Sequence, residues 1–269
     1  MDPWKLVLLT ALGVGGSTVF GAAIGFLFKK ASHKFSDIVL AFAAGVMLAA
    51  AVLGLVMPSV EHGVDMFAPM EGVSGLGAKA LALLMTVAGV FVGALCLNLV
   101  DRMVPHLHKL AGVDQEVHPS NRDAGKVLLF VMAIAIHNLP EGIAAGVGFG
   151  SDNTTEALLI AGGIALQNIP EGMVIIAPML AAGIKPGRTF VIALATGLVE
   201  VVGTMLGFFA VSIFTPILPF ALAFAGGAML YIISDEMIPE THAHGCERGA
   251  TYALLVGFCV MLISDVLLG

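Results

Sequence analysis

Charge is what this sequence has least of. Only 12% of its 269 residues are Asp, Glu, Lys or Arg, against about a quarter in a soluble globular domain. Hydrophobic residues make up 58%. A chain so poor in charge cannot cover a water-facing surface, so a soluble domain is excluded. The composition is that of an integral membrane protein with little folded material outside the bilayer. The expected partners are lipid and small ions, with no nucleic acid. Cysteine is scarce too: Cys96, Cys246 and Cys259 give no disulfide framework. Cys96 and Cys259 lie in apolar helical runs and are expected to be small buried hydrophobes. The opening Met1-Asp2-Pro3-Trp4-Lys5 lacks a strongly basic stretch and no small-residue cleavage site follows it, so the first helix is expected to be retained. The zinc-hydrolase pattern H-E-x-x-H is absent. Glycine, by contrast, is abundant at 33 residues, and membrane helices favour small residues because they let backbones approach closely.

Eight apolar stretches reach the roughly 20 residues needed to cross a bilayer. They fall near 6–28, 37–57, 78–100, 127–149, 156–180, 190–213, 217–237 and 249–268. The predicted fold is an all-α polytopic membrane protein forming a single transmembrane domain over 1–269, with a cytoplasmic loop at about 101–126. Loops after spans 1, 3 and 5 hold Lys29, Lys30, Lys34, Arg102, Lys109, Arg122, Lys126, Lys185 and Arg188, nine of the twelve Lys and Arg residues. The positive-inside rule places these loops in the cytoplasm and both termini outside, in an inner or plasma membrane. The opposite side is read as holding Lys5, Lys79 and Arg248, with Glu61, Asp65, Glu71, Asp152 and Glu247 attracting cations to an outer mouth. Asp235, Glu236, Glu240, His242, His244 and Cys246 are assigned to the same mouth, as the outer end of span 7. These residues, with Glu61, His62 and Asp65 after span 2, are a metal-capturing rim or a solvated one. Asp265 is expected near the outer face. His106, His108 and His118 in the inner loop form a weak exit-side metal site or a solvated loop.

Phe42-Ala43-Ala44-Gly45-Val46-Met47-Leu48 in span 2 resembles Phe224-Ala225-Gly226-Gly227-Ala228-Met229-Leu230 in span 7, and a proline follows each, Pro58 and Pro239. The two spans run in opposite directions, the mark of an inverted repeat.

A shorter motif also occurs twice: His137-Asn138-Leu139-Pro140-Glu141-Gly142 and, thirty residues on, Gln167-Asn168-Ile169-Pro170-Glu171-Gly172. Polar side chains are costly in hydrocarbon unless they pair or coordinate. His137 and Glu141 share a helix face, Asn138 and Glu141 also meet, and Gln167, Asn168 and Glu171 repeat the geometry. Two carboxylates, an imidazole and three amides then converge between antiparallel neighbours. This mixed oxygen and nitrogen set suits a borderline divalent metal such as zinc. Pro140 and Pro170 are expected to free carbonyls and widen each helix locally. Glu200 in span 6 is a third intramembrane carboxylate with no basic residue near it in sequence, and a metal or a proton is its expected partner.

With these motifs the chain resembles the ZIP family of divalent-metal transporters, and its Gln-Asn-x-Pro-Glu-Gly copy resembles the GufA-like bacterial branch. The resemblance covers essentially all eight spans. It implies an eight-helix bundle arranged as three, two and three helices, and uptake of Zn2+, with Cd2+, Fe2+, Mn2+ or Co2+ as alternatives. It also implies one metal position made by His137, Glu141, Gln167 and Glu171, with Met47 as a soft ligand, and a second made by Asn138, Asn168, Glu171 and Glu200. Glu171 would bridge the two. Some relatives carry Asp where this chain has Asn168, and the missing charge weakens the second position. Glu236 and Asp265 resemble residues along the outer entry path, and a homodimer is consistent with the glycine-rich helices. An intramembrane metallohydrolase and a metal-sensing scaffold are the rival readings. No organic cofactor is expected.

Overall fold

The structure, a computed structural model, describes residues 2–28, 32–110, 137–151, 153–181 and 184–268, and every regular element among them is helical. In hydrocarbon each backbone N–H and C=O must find its partner within the protein, and an isolated apolar run can do so only as a helix. α1 is Pro3–Gly25 and opens on a proline, whose missing N–H costs nothing in a first turn. α2 is His33–Ala49, capped by Ser32 accepting from the Phe35 amide at 3.2 Å. It continues without a break into α3, Met57–Phe67. α4 is Gly75–Leu110, α5 spans 137–148, α6 is Thr154–Ala181 and α7 is Pro186–Ile213. α8, Leu218–Ile232, runs on into the short α9, Ile238–Thr241, and α10 is Glu247–Leu268.

Seven helices among the described residues are long and apolar enough to cross a membrane. The remaining expected span, the fourth at 127–149, is described only from residue 137, where it is helical through 148. Helix ends run past the expected spans. α3 carries Glu61 and Asp65 on a helix rather than a loop. α4 reaches Leu110, so His106 and His108 sit on its last turns. His118 lies outside the described residues.

No widened turn precedes Pro170, where α6 passes through as a continuous α-helix. The carbonyl expected to be freed by Pro140 belongs to residue 136, which lies outside the described residues. Wide π turns occur instead at Ala50–Val56, between α2 and α3, and at Ile233–Met237, between α8 and α9. Each stands just before the proline that ends the repeated span, Pro58 or Pro239. A proline ring crowds the carbonyl four residues back. Those carbonyls belong to Gly54 and Asp235, both inside the π segments, where the extra residue per turn relieves the crowding.

The packed face of α7 shows how the bundle inverts the pattern of a soluble protein. Its buried stripe is small and polar, with Thr189, Ala193, Thr196, Gly197, Glu200, Gly203 and Thr204. Its exposed stripe is large and apolar, with Val191, Leu194, Leu198, Val202, Leu206 and Phe209. Where lipid is the solvent, helices associate through close packing rather than apolar burial, so small residues go inside. Cys259 follows the same logic: it is exposed on the apolar surface rather than buried, and Cys96 is half-buried.

Contacts divide the helices into two groups. α1 packs along α6 and α7, and α5 packs on α7, where a methyl group at Gly142 would overlap the Glu200 carbonyl. In the other group α2 lies along α10, and α4 along α8 and α3. α2 also meets α6, joining the groups.

The turn after α9 corrects one expectation. His244 Nδ1 lies 3.0 Å from Asp37 Oδ1, and its ring stacks on His33 at 4.7 Å. His33 and Asp37 open α2, directly after the basic loop that follows the first span. Residues 235–248 therefore sit on the basic side, not at the opposite mouth. The reason is parity: this is the seventh connection between antiparallel spans and must share a side with the first, third and fifth. Arg248 moves with it, to the side to which the sequence assigns nine other Lys and Arg residues.

Candidate metal centre

The polar side chains of the two motif copies and Glu200 form one buried polar cluster. His137, Asn138, Glu141, Gln167, Asn168, Glu171 and Glu200 are all buried, the most accessible being His137 at 8%. The motif glycines let their helices close on their neighbours. Gly142 abuts the Glu200 carbonyl and Gly172 the Thr18 carbonyl, each too tightly for a methyl group. α5 is thereby pressed onto α7, and α6 onto α1.

Glu200 is fully satisfied. Its Oε1 accepts from the Thr18 hydroxyl and the Asn138 amide at 2.5 Å each, and its Oε2 accepts from the Asn168 amide at 2.5 Å. Asn168 Oδ1 in turn accepts from Gln167 Nε2 at 2.5 Å. Thr18 is a residue that sequence reasoning missed. The available signal was a Ser17-Thr18 pair in the middle of an apolar span, but hydroxyls in membrane helices commonly bond their own backbone, as Ser17 does to Val14 O at 2.6 Å.

The other half of the cluster is unsatisfied. Glu141 Oε1 and Oε2, Gln167 Oε1 and Asn138 Oδ1 are buried without a hydrogen-bond partner in the protein. Gln167 lies beside Glu141, but its NH2 is aimed at Asn168. Unpaired buried acceptors are costly, and here four atoms from adjacent segments share the same defect. All four are oxygens, atoms able to coordinate a cation.

A cavity of about 450 Å³ reaches Glu141 of this half. His137, Glu141 and Glu171 line its inner end, and the rest is a mixed wall of acidic residues (Asp235, Glu236, Glu240) and apolar ones such as Leu40, Val174 and Met237. His137 Nε2 is paired with Glu236 Oε1 at 2.8 Å. The π turn at Ile233–Met237 carries Glu236. The cavity leads toward the turn that rests on His33 and Asp37, so it opens on the basic side. Glu236, Glu240 and the turn bearing His242 and His244 belong to this passage rather than to the opposite mouth. His242 is held in place by Ile238 O at 2.9 Å. Among the described residues, no three His, Cys, Asp or Glu side chains stand close enough to hold a metal as placed. Met47 is fully buried in an apolar cluster with Ala144, Ile164 and Met229, and it does not line the cavity.

At the opposite end of the bundle Glu61, His62 and Asp265 lie within electrostatic reach of Glu156 at the start of α6. Asp265 and Glu61 thus both stand near Glu156. Asp65 is exposed on α3 and is not among those neighbours.

A bundle of long apolar helices with a buried oxygen-rich cluster and a cavity leading to one side defines a multi-pass membrane protein built around a polar site. Residues 111–265 match the family model described as the ZIP zinc transporter. The chain is 43% identical to the zinc transporter GufA of Myxococcus xanthus, over 74% of this chain and 78% of that protein. It is 35% identical to the zinc transporter ZIPB of Bordetella bronchiseptica, over 94% of this chain and 78% of that one. Against the zinc transporter ZupT of Chlorobium chlorochromatii the identity is 34%, over 95% of each. The chain belongs to the ZIP family of transporters, in its GufA-like bacterial branch, and is not an enzyme.

Proposed function

We propose that this protein carries zinc across the membrane into the cytoplasm, through a site between α5 and α6. The supporting observation is the pair of partnerless Glu141 oxygens, on a residue that lines the cavity, with partnerless oxygens of Gln167 and Asn138 in the same buried cluster. His137, Glu141, Gln167 and Glu171 hold the metal, and Met47 supplies a soft ligand after a shift of its side chain. His137 must exchange Glu236 for the metal, or keep both. Cadmium, iron(II), manganese and cobalt are the alternative substrates, since the same donor set accepts them with different strength.

The basic residues assigned to the cavity side put it in the cytoplasm and both termini outside. The cavity is then the release path, lined by Glu236 and Glu240, and Glu61 and Asp265 stand at the entry side. Two spans that share a sequence repeat, a π turn and a closing proline while running in opposite directions support an inverted repeat. We place the eight spans as three, two and three around it, within one transport domain. Sliding of the α1, α5, α6, α7 group against the other is the motion that would close the cavity and open the far side.

The test is flux of zinc, cadmium, manganese and magnesium into proteoliposomes of known protein orientation, with Glu171→Ala alongside. Zinc and cadmium should enter, magnesium should not, and the variant should lose entry. Wild-type zinc flux retained per inserted Glu171→Ala molecule overturns the assignment of the site.

A further inference from the structure

We propose that Glu200 and Thr18 are positioning residues rather than metal ligands: they orient the amides of Asn138, Asn168 and Gln167 so that free oxygens face a single metal position. This rests on the site described under Proposed function.

The argument starts from what each group can give. A carboxylate without its proton only accepts, whereas a side-chain amide offers an NH2 at one end and an oxygen at the other. Glu200 takes the NH2 ends of Asn138 and Asn168. The oxygen of Asn138 is then turned away and has no partner. The oxygen of Asn168 faces Gln167 and takes its NH2. That leaves the Gln167 oxygen turned away as well, also without a partner. One buried carboxylate thereby sets the direction of three amides, and both free oxygens that result lie in the motif segments flanking Glu141. Without Glu200 these amides could flip and present NH2 groups, which repel a cation.

Thr18 makes the arrangement rigid. Its hydroxyl donates to Glu200 Oε1 from α1, so all four helices of this group, α1, α5, α6 and α7, meet at one carboxylate. The Gly172 contact seats the Thr18 backbone, and the Gly142 contact seats that of Glu200.

The same bonds occupy the second position. Both Glu200 oxygens and the Asn168 oxygen already have donors, so a metal there would have to compete with buried hydrogen bonds for the remaining lone pairs. A carboxylate at position 168 would have no NH2 for Glu200 and would leave that position to a cation. Asn168 closes it, so this chain binds one metal.

The experiment is zinc and cadmium binding to the purified full-length protein, read as stoichiometry and affinity, with flux of the same variants. Wild type should bind one metal per chain. Thr18→Val should weaken zinc binding about tenfold, the scale of a lost hydrogen bond to a charged group, and raise the half-saturating concentration for flux more than it lowers the maximal rate. Thr18→Ser should restore affinity. Glu200→Gln, which keeps one acceptor, should weaken binding while stoichiometry stays at one. Two metals per wild-type chain overturn the proposal, as does a fall in stoichiometry caused by Glu200→Gln, or unchanged affinity in a folded Thr18→Val. Should Thr18→Val fail to fold, wild-type stoichiometry and Glu200→Gln still decide. Two metals together with loss of flux in Glu171→Ala would sink this inference alone, whereas absence of any metal would sink the underlying site too.

Discussion

Glu141 and Glu200 are carboxylates of one buried cluster, and their oxygens meet opposite fates. Those of Glu200 accept from three neutral donors on three helices. Those of Glu141 accept from none, although the residue is 1% exposed. A folded chain that leaves two carboxylate oxygens unpaired while satisfying two others nearby has separated stability from binding. Glu200 holds α1, α5, α6 and α7 together. Glu141 keeps its capacity free, at a cost to the metal-free protein, for a partner that arrives later. Burial and residue type are the same in both cases, so neither reveals which role a carboxylate has. The identity of its neighbours does.

The contrast is open to direct attack. Glu141→Leu should bring zinc flux to background while leaving the thermal midpoint of the metal-free protein in detergent unchanged or higher, because the unpaired oxygens are removed. A lower midpoint would mean that Glu141 is structural. Glu200→Leu should do the reverse to stability, costing about 3–5 kcal/mol by stranding three buried donors. A midpoint equal to wild type would deny it the role of tie. Asn168→Asp sharpens the difference. It removes one donor from Glu200 and adds a carboxylate beside it, so the metal-free protein should lose about 1–3 kcal/mol. Saturating zinc should restore that loss by filling a second position, and metal analysis should then find more than one ion per chain. An unchanged count would contradict the account of how that position is closed. Glu236→Gln should have the smallest effect. Weakening the 2.8 Å contact with His137 should alter the half-saturating zinc concentration by only about twofold to fivefold. A complete loss of flux would instead make Glu236 an essential ligand.

The sidedness of the bundle shows how far a linear reading reaches. Counting basic residues groups most loops onto one side from the sequence alone, because charge near span ends lies in short loops and is legible without a fold. The turn after α9 was nevertheless set at the wrong mouth. Its acidic and histidine residues looked like a rim for capturing cations, and that impression overrode the parity of the connection. The His244 contact with Asp37 restores it to the basic side and converts a presumed entrance into the lining of the cavity. The prolines teach something similar. Pro170 belongs to the conspicuous motif and its helix stays regular, whereas the wide turns among the described residues precede Pro58 and Pro239. A single proline gives no indication of whether its helix will bend, widen or absorb the ring. That depends on what packs around the crowded carbonyl.

The sequence by itself determined the helical, membrane-spanning character, because hydrocarbon leaves a long apolar chain no other way to pair its backbone. It also determined which segments carry the polar cluster, since buried Asn, Gln, His and Glu in repeated register have no apolar explanation. The tertiary structure alone decided which of those polar atoms are used and which are left free. Hydrogen bonds are directional and short, and whether Thr18 of the first helix meets Glu200 of the seventh depends on helix approach at Gly142 and Gly172. Residues 182 positions apart in the chain carry no local trace of that meeting.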